Sequence, residues 1–271
     1  MAELQTLALK IADGVASVQL DRPKKANALN EAMAGELIEL LHQLDQDGAV
    51  KVVVIKGSGP FFSSGIDLEY LHQIQGAVLS EGENDRAARM YQIILHLQRV
   101  TQAVEDCSKP VIAQIDGICF GFGVDFAAAC DLRYCSKRAR FSVKEVDLAI
   151  VADLGTLQRL PGIIGEGHAR GLAFTGREFH GQEAAAIGFA NRCYDNTKEL
   201  ETAVAELAAT LAAKSPHTLR GIKSSMNFSR DHTVAEGLAH IADANATALL
   251  HSDLQEAVTA FLEKRPPEFR D

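Results

Sequence analysis

The sequence predicts an α/β fold, and two kinds of pattern support this prediction. Residues 50–55 and 111–115 are short, mainly apolar runs rich in β-branched side chains, which is typical of strands buried on both faces. Helical patterns lie between and after these runs, with apolar residues recurring every three or four positions. Strand signals that alternate with helix signals favour a sheet packed against helices.

The first element is a predicted antiparallel hairpin. Asp13-Gly14 is a strong turn signal, and it separates two stretches in which alternate residues are apolar. The alternating residues are Leu7, Leu9 and Ile11 before the turn and Val18 and Leu20 after it.

A helix is predicted to follow the hairpin. Asn30 is a suitable N-cap, Glu31 suits the first turn, and Asp47-Gly48 marks the end. The apolar face of this helix consists of Met33, Leu37, Leu40, Leu41 and Leu44.

The rest of the chain divides into a predicted core and a helical region. In residues 71–87 the pattern breaks into polar, glycine-containing sequence, which we interpret as a mobile surface segment. Residues 197–213, 216–227 and 233–262 have helical patterns. A length of 271 residues fits one folded unit with a smaller appendage. We therefore predict a core over residues 1–195 and a C-terminal helical region over residues 196–271 that serves packing and oligomerisation.

The composition argues against several classes of protein. The formal net charge is −9 and the basic residues are scattered, which disfavours nucleic-acid binding. The five cysteines form no C-x-x-C pair and the nine histidines are dispersed, so we expect neither a disulfide framework nor a metal site. No apolar run is long enough to span a bilayer, and the ends carry no targeting signal of the Ser-Lys-Leu type. These observations predict a cytoplasmic enzyme of bacterial type.

Three carboxylates are the strongest candidates for chemistry. Asp125, Glu145 and Asp153 each lie in an apolar stretch that should be buried. Burial disfavours the charged form of a carboxyl, and crowding pushes the pKa values of neighbouring acids apart, so that one acid holds a proton while another accepts one. Each acid taken singly is as well explained by a helix cap or a buried ion pair. Together they are candidates for general acid–base catalysis.

The three acids and an upstream element form an arrangement found in a known family. Their spacing, together with Phe-Phe-Ser-Ser-Gly-Ile-Asp-Leu at residues 61–68, resembles the crotonase (enoyl-CoA hydratase/isomerase) superfamily, and the resemblance runs from Asp21 to Phe269. It implies a spiral of repeated β-β-α units, an acyl-CoA thioester as substrate, no cofactor, and a homotrimer or a hexamer formed as a dimer of trimers. A narrower similarity over residues 107–161, to the 3,5-2,4-dienoyl-CoA isomerases, depends chiefly on Asp125 and Asp153.

The resemblance also implies a role for each site residue. The backbone N–H groups of Ile66 and Phe122 would form an oxyanion hole for the thioester enolate. Glu145 would take the α-proton and Asp153 would deliver a proton to the ε-carbon. Asp125 would orient nearby groups and keep the proton affinity of a neighbour high. Phe122 departs from the glycine usual in the family, and we expect its ring to shape the acyl pocket.

A coenzyme A site is implied near the N-terminus. Coenzyme A carries phosphates and a long pantetheine arm, so its site needs cations at the rim and backbone partners along the arm. Residues 71–87 directly follow the Gly65-Ile66 element, which makes them a candidate lid or acyl-chain wall. The residues implied in binding are Arg22, Lys24, Lys25, Ala26, Ser64, Asp67 and Lys264, of which Lys264 could reach the site from a neighbouring subunit.

Two alternative functions stay open. Hydratases of the superfamily normally have glutamates at the positions of Asp125 and Glu145 and no acid at the position of Asp153. The shorter first acid and the additional third acid favour an isomerase over an enoyl-CoA hydratase or another crotonase-fold enzyme. A catalytically idle CoA-binding or scaffold protein is the non-enzyme alternative, and three placed acids disfavour it.

Overall fold

The structure is a computed structural model that describes residues 4–269. It confirms the predicted hairpin and the helix after it. The strands Leu7–Ala12 (β1) and Val15–Leu20 (β2) pair antiparallel, with Ala12 opposite Val15. The helix Glu31–Gln46 (α1) begins after Asn30, whose side chain accepts a hydrogen bond from the Met33 N–H at 3.0 Å. This contact satisfies one of the N–H groups that the first helical turn leaves without a partner.

A six-stranded sheet forms the larger layer, in the order β1-β2-β3-β5-β7-β10. Every neighbouring pair after β1 and β2 runs parallel. The predicted run at residues 50–55 becomes β3, which is buried on both faces as its β-branched composition indicates: Val53 and Ile55 face the main core, and Val52 and Val54 face a second cluster. The remaining strands of this sheet are Val52–Gly57 (β3), Val111–Ile115 (β5), Leu132–Ser136 (β7) and Arg192–Tyr194 (β10).

A second, four-stranded sheet positions the site. Its order is β4-β6-β8-β9, in which β4, β6 and β8 are parallel and β9 is antiparallel to β8. The carboxyl ends of three parallel neighbours meet at one edge of the sheet, so the residues that follow them lie side by side. The strands are Phe61–Ser63 (β4), Ile118–Phe120 (β6), Arg140–Ser142 (β8) and Phe179–His180 (β9).

Helices enclose these sheets. The short helix α4 is buried along its whole length and packs against α3 and α5. The helices before residue 190 are Leu68–Leu79 (α2), Glu83–Asp106 (α3), Phe122–Ala129 (α4), Thr156–Ile164 (α5), Glu166–Thr175 (α6) and Gly181–Ala186 (α7).

Residues 71–87, which we interpret from the sequence as a mobile surface segment, are largely exposed but helical. They lie in α2 and α3, which are separated only by a short break at residues 80–82. Asp67 caps the start of α2 by accepting a hydrogen bond from the Glu69 N–H at 3.0 Å. The first turns of α3 are exposed and polar, and its buried apolar residues begin only at Leu97. This part of α3 buries almost no side chain, so its polar sequence gives little sign of a helix.

The C-terminal part is helical, as predicted, but its first helix belongs to the packing of the core. The helix α8 places Leu200, Val204 and Ala208 against the second face of the large sheet. The region predicted to be helical over residues 233–262 is two helices with a break at residues 249–251. No helix within residues 4–269 is long and apolar enough to cross a membrane. The last four helices are Thr197–Ala212 (α8), Pro216–Arg230 (α9), Val234–Ala248 (α10) and Ser252–Glu263 (α11).

Candidate active site

The candidate site lies at the edge where β4, β6 and β8 end. The chain continues from β4 into Gly65-Ile66, from β6 into Gly121-Phe122, and from β8 into the turn that carries Glu145. Sequence-distant residues are therefore brought together by strand pairing alone, because parallel neighbours end at the same edge.

Two glycine turns touch each other at this edge. Gly65 has φ +111° and Gly121 has φ +51°, conformations that residues with a side chain rarely adopt. A methyl group at Gly121 would lie 3.2 Å from Glu145 Oε1 and 3.5 Å from the Cα of Gly65. Both turns and the Glu145 carboxyl thus share one small volume, and glycine is needed at position 121 for its conformation as well as for space.

Each glycine turn presents a main-chain N–H group without an acceptor. Leu29 donates to the Gly65 carbonyl and accepts from the Asp67 N–H, both at 2.8 Å. In such a parallel bridge the N–H of the intervening Ile66 points away from the partner strand. Phe122 opens α4, and the first N–H groups of a helix have no intrahelical acceptor. Neither the Ile66 nor the Phe122 N–H donates a hydrogen bond to any residue between 4 and 269.

The Phe122 side chain belongs to the hydrophobic core. The ring is 2 % exposed and stacks on Phe126 at a centroid distance of 5.3 Å. We expected the ring at this position to shape an acyl pocket. The packing means that a glycine here would leave a cavity in the core, in addition to any effect on substrate.

Asp125 lies on α4, one turn after Phe122, and is 1 % exposed. Its Oδ1 accepts a hydrogen bond from the Thr156 main-chain N–H at 2.7 Å, at the first residue of α5. Burial raises the pKa of Asp125 to about 6, against the opposing effect of the Thr156 contacts, which favour the charged form. Thr156 Oγ1 makes no hydrogen bond of ordinary geometry with a described residue, so the N–H is the contact that holds this carboxyl.

Glu145 lies in the 3-10 turn Lys144–Leu148, directly after β8. Burial, followed by the charge of the adjacent Asp125 carboxyl, raises the pKa of Glu145 to about 8. Its Oε2 is buried and has no hydrogen-bond partner among the described residues. Two adjoining carboxyls of this kind titrate as a pair, so at neutral pH they share about one proton.

Asp153 completes the group. It precedes α5 by a short turn, and burial raises the pKa of its carboxyl as well. The charge of Asp153 in turn raises the pKa of both Asp125 and Glu145, which places all three acids within electrostatic reach of one another. The structure therefore brings together the three carboxylates that the sequence singled out.

Six of the seven residues suggested for coenzyme A binding form one neighbourhood around Ile66. The Ser64 N–H donates to the Ala26 carbonyl at 3.0 Å, so residues 22–26 and 64–67 lie side by side. Lys25 pairs with Glu69 at 2.9 Å on the surface, and Lys24 is exposed.

Arg22 and Asp67 serve the fold of this neighbourhood. Arg22 donates to Asp67 Oδ2 at 2.9 Å and to the Ala28 carbonyl, and Asp67 also caps α2. Their polar atoms are thus engaged within the chain. Lys264, at the end of α11, has no hydrogen bond or ion pair with residues 22–26 or 64–67. Within one chain, therefore, the structure groups the other six suggested residues and leaves Lys264 out.

Thr156 is the site residue that sequence reasoning missed. It acts through its main-chain N–H, and residue type carries no signal for such a contact. The only indication in the sequence is that Gly155-Thr156 begins a helix close to Asp153.

Comparison with known proteins identifies the family of this fold and site. The sequence profile of the Enoyl-CoA hydratase/isomerase family matches residues 10–271. The chain belongs to the enoyl-CoA hydratase/isomerase family. It is 44 % identical over 253 residues to "Delta(3,5)-Delta(2,4)-dienoyl-CoA isomerase, peroxisomal" of Arabidopsis thaliana, covering 92 % of this chain and 90 % of the relative. It is 39 % identical over 254 residues to the mitochondrial protein of that name in Homo sapiens, covering 93 % and 77 %.

A solved structure of the enoyl-CoA hydratase/isomerase family has the same fold. The enoyl-CoA hydratase of Bacillus anthracis superposes with a TM-score of 0.89 at 29 % identity, covering 98 % of this chain and 99 % of that chain. The predicted α/β class and crotonase-like architecture are thereby confirmed. The boundary predicted at residue 195 between core and helical region stays a prediction.

The predicted cytoplasmic location is wrong. The dienoyl-CoA isomerases similar to this chain carry the words peroxisomal or mitochondrial in their names. The prediction relied on the absence of a recognisable signal at the ends of the sequence, and such an absence does not identify a compartment.

Proposed function

We propose that this protein is an acyl-CoA isomerase that converts a 3,5-dienoyl-CoA into a 2,4-dienoyl-CoA. The observation that carries the proposal is the third carboxyl: Asp153 lies within electrostatic reach of Glu145 and Asp125, and burial raises the pKa of all three. A site with a second proton-transfer group suits a reaction in which one proton leaves a chain and another arrives at a distant carbon. The names of the similar isomerases support the same assignment.

Glu145 is the base in the proposed mechanism. Its raised pKa makes the ionised form a strong acceptor, and its Oε2 has no hydrogen-bond partner among residues 4–269. It takes the proton from the α-carbon, and the electron pair of that C–H bond spreads over the thioester carbonyl and the diene. Asp125 raises the proton affinity of Glu145 and shares its proton between turnovers.

Asp153 is the acid in the proposed mechanism. It delivers a proton to the ε-carbon, where a new C–H bond forms as the double bonds move into conjugation with the carbonyl. One C–H bond breaks and one forms, so the reaction is balanced when Glu145 passes on its proton and Asp153 regains one. Each positioned acid or base typically contributes about 10²–10⁴-fold to the rate.

The main-chain N–H groups of Ile66 and Phe122 are the proposed oxyanion hole. They donate to no acceptor in the described part of the chain, and the Gly65 and Gly121 turns that carry them adjoin the Glu145 carboxyl. A thioester oxygen between them would gain negative charge as the α-proton leaves. Each such donor contributes roughly 3–4 kcal/mol to transition-state stabilisation in comparable sites.

The proposal includes an acyl-CoA thioester as substrate, no cofactor, and a homotrimer or hexamer. Residues 22–26 lie beside residues 64–67, which include Ile66. These two segments would bind the pantetheine arm and the phosphates. Support for an oligomer comes from large apolar side chains exposed on α10 and α11: Val234, Leu238, Leu254, Val258, Phe261 and Leu262.

An absorbance assay with the purified protein tests the proposed reaction. Forming a 2,4-dienoyl thioester lengthens the conjugated system and adds a long-wavelength band, whereas hydrating a 2-enoyl thioester removes conjugation. We expect the band to grow with 3,5-dienoyl-CoA substrates. Hydration of 2-enoyl-CoA without any dienoyl conversion would identify a hydratase, and binding without either change would identify a non-catalytic CoA-binding protein.

A further inference from the structure

The turn that carries Asp153 is held by side chains of α3. Gln98 Nε2 donates to the Asp153 carbonyl at 2.7 Å, and Thr101 Oγ1 donates to the next carbonyl, that of Leu154, at 2.8 Å. Thr101 is 2 % exposed, and its hydroxyl also lies 3.1 Å from the Gln98 carbonyl. Two successive carbonyls of one turn are therefore bound by two residues of a helix that is remote in sequence.

A third contact fixes the end of the same turn. Arg159 on α5 donates twice to Glu105 of α3, with both N···O distances at 2.9 Å. Arg230 donates to the same carboxylate at 2.7 Å. Gly155 has φ +116°, and a Cβ there would lie 1.6 Å from Arg159 Nη1, so the guanidinium packs directly over the turn. Paired Arg–carboxylate contacts of this geometry restrict rotation as well as distance.

The three α3 residues lie on one face of the helix. Positions 98, 101 and 105 follow the spacing of a single helical stripe. Apolar residues adjacent to this stripe, Leu97 and Val104, bury α3 in the core. The polar stripe thus faces the Asp153 turn from a helix that the core holds in place.

We propose that Gln98, Thr101 and the Glu105–Arg159 pair are positioning residues that aim the Asp153 carboxyl at the distal end of the acyl chain. A peptide plane whose carbonyl is hydrogen-bonded cannot rotate freely, so these contacts set the direction in which the Asp153 side chain leaves the backbone. A displacement of about 1 Å at a reacting group can cost about 10²-fold in rate. This inference rests on the proposed isomerisation.

Matched variants on α3 test the proposal in the full-length protein. Gln98→Met keeps the length of the side chain and removes its amide. Gln102→Met is the control, because Gln102 is exposed one turn away and its amide donates within α3, to Asp106 at 2.9 Å. We expect Gln98→Met to lower kcat about 10- to 100-fold with KM changed less than about twofold. We expect Gln102→Met to match the wild type.

Thr101 supplies a second pair of variants. Thr101→Val removes the hydroxyl at similar size and should lower kcat in the same way, while Thr101→Ser should restore most of the activity. In deuterated solvent, exchange of the α-proton should persist in Gln98→Met and Thr101→Val, since Glu145 is held by a different turn. If kcat stays at the wild-type value in both variants, or if α-exchange falls in parallel with kcat, the inference is wrong.

A ligand-free measurement separates this inference from the proposed function. If the wild type does not convert dienoyl-CoA, the proposed function fails, and the ¹³C carboxyl resonance of Asp153 still reports its surroundings. A shifted resonance or titration in Gln98→Met, absent in Gln102→Met, would support the positioning of Asp153 by α3 in either case. An unchanged resonance in Gln98→Met would overturn it.

Discussion

Apolar side chains are buried on α4 and largely exposed on the C-terminal helices α10 and α11. Every residue of α4 is buried by other parts of the same chain. In α10 only Gly237 is buried, and in α11 only Asp253 and Ala260. Phe122 on α4 is 2 % exposed, whereas Phe261 on α11 is 82 % exposed.

The difference shows which part of the molecule one chain completes. Other parts of the chain enclose α4 completely, and this burial raises the pKa of the acid placed there, Asp125. On α10 and α11, large apolar side chains such as Val234 and Phe261 remain exposed within residues 4–269, a pattern typical of surfaces that bind another protein. Chemistry thus depends on the enclosed region, and the exposed one is available for assembly.

The largest expected effect is at Glu145. Glu145→Gln keeps the shape of the side chain and removes the base, so we expect kcat for dienoyl-CoA conversion to fall by about 10²–10⁴-fold, with acyl-CoA affinity little changed. Steady-state kinetics and direct binding measure the two quantities. Glu263→Gln, on the exposed α11, is the matched control and should retain wild-type kcat. Turnover near the wild-type rate in purified Glu145→Gln would contradict its role.

The next prediction is that a change at Asp153 affects isomerisation but not exchange of the α-proton. Asp153→Asn should reduce isomerisation by about 10²–10⁴-fold because the distal acid is lost, while Glu145 still exchanges the α-proton with solvent. Incorporation of deuterium at the α-carbon, followed by mass spectrometry, measures the split. Asp243→Asn on the exposed face of α10 should change neither rate. Equal loss of exchange and isomerisation, with binding intact, would show that the two roles are not separate.

The next largest expected effect is a difference in how much a phenylalanine on α4 and one on α11 stabilise the fold. Phe122→Ala removes a core ring stacked on Phe126, and we expect the free energy of unfolding to fall by about 3–5 kcal/mol. Phe261→Ala should change it by less than about 0.5 kcal/mol in a dissociated subunit, because the ring is exposed there. Denaturant unfolding of the monomeric protein, at a concentration at which any oligomer is dissociated, measures both. Equal losses would mean that the regions do not differ in packing.

Per pH unit, the smallest expected change in the free energy of unfolding comes from the titration of Glu145. Folding raises the pKa of Glu145 from 4.5 to about 8, so between these values the folded protein holds a proton that the unfolded chain has released. The free energy of unfolding should therefore fall as pH rises through this window, by at most about 1.4 kcal/mol per pH unit for one proton. Glu145→Gln should flatten the slope measured by urea unfolding, and Glu263→Gln should leave it unchanged. An identical slope in Glu145→Gln would refute the raised pKa.

Local signals explain which elements the sequence could predict. Asn30 and the apolar face after it predict α1, and the β-branched residues within 50–55 predict β3. The grouping of Asp125, Glu145 and Asp153 could also be anticipated, because their spacing matches a known family. These features depend on neighbours in sequence or on a pattern already associated with a fold.

Other features depend on tertiary contacts, which the identity of a residue does not predict. The start of α3 lacks an apolar face because solvent surrounds it, so its polar sequence gives no helical pattern. The partner of Asp125 is a main-chain N–H on another helix, and the pairing of Arg22 with Asp67 joins residues that are remote in the chain. Burial and tertiary contact decide these cases, and both follow from the folded chain.

The bond between Asp125 and the first N–H of α5 also restricts how the activity of this fold can be altered. Changing Asp125 to glutamate, the residue usual in the hydratases, would lengthen the side chain by one methylene inside a packed region. The longer carboxyl would have to displace α5 or give up its N–H donor, and the turn that carries Asp153 would move with α5. Converting an isomerase of this fold into a hydratase therefore requires coordinated substitutions in α4, in α5 and in the turn that carries Asp153. A single substitution at position 125 is a poor route to a hydratase.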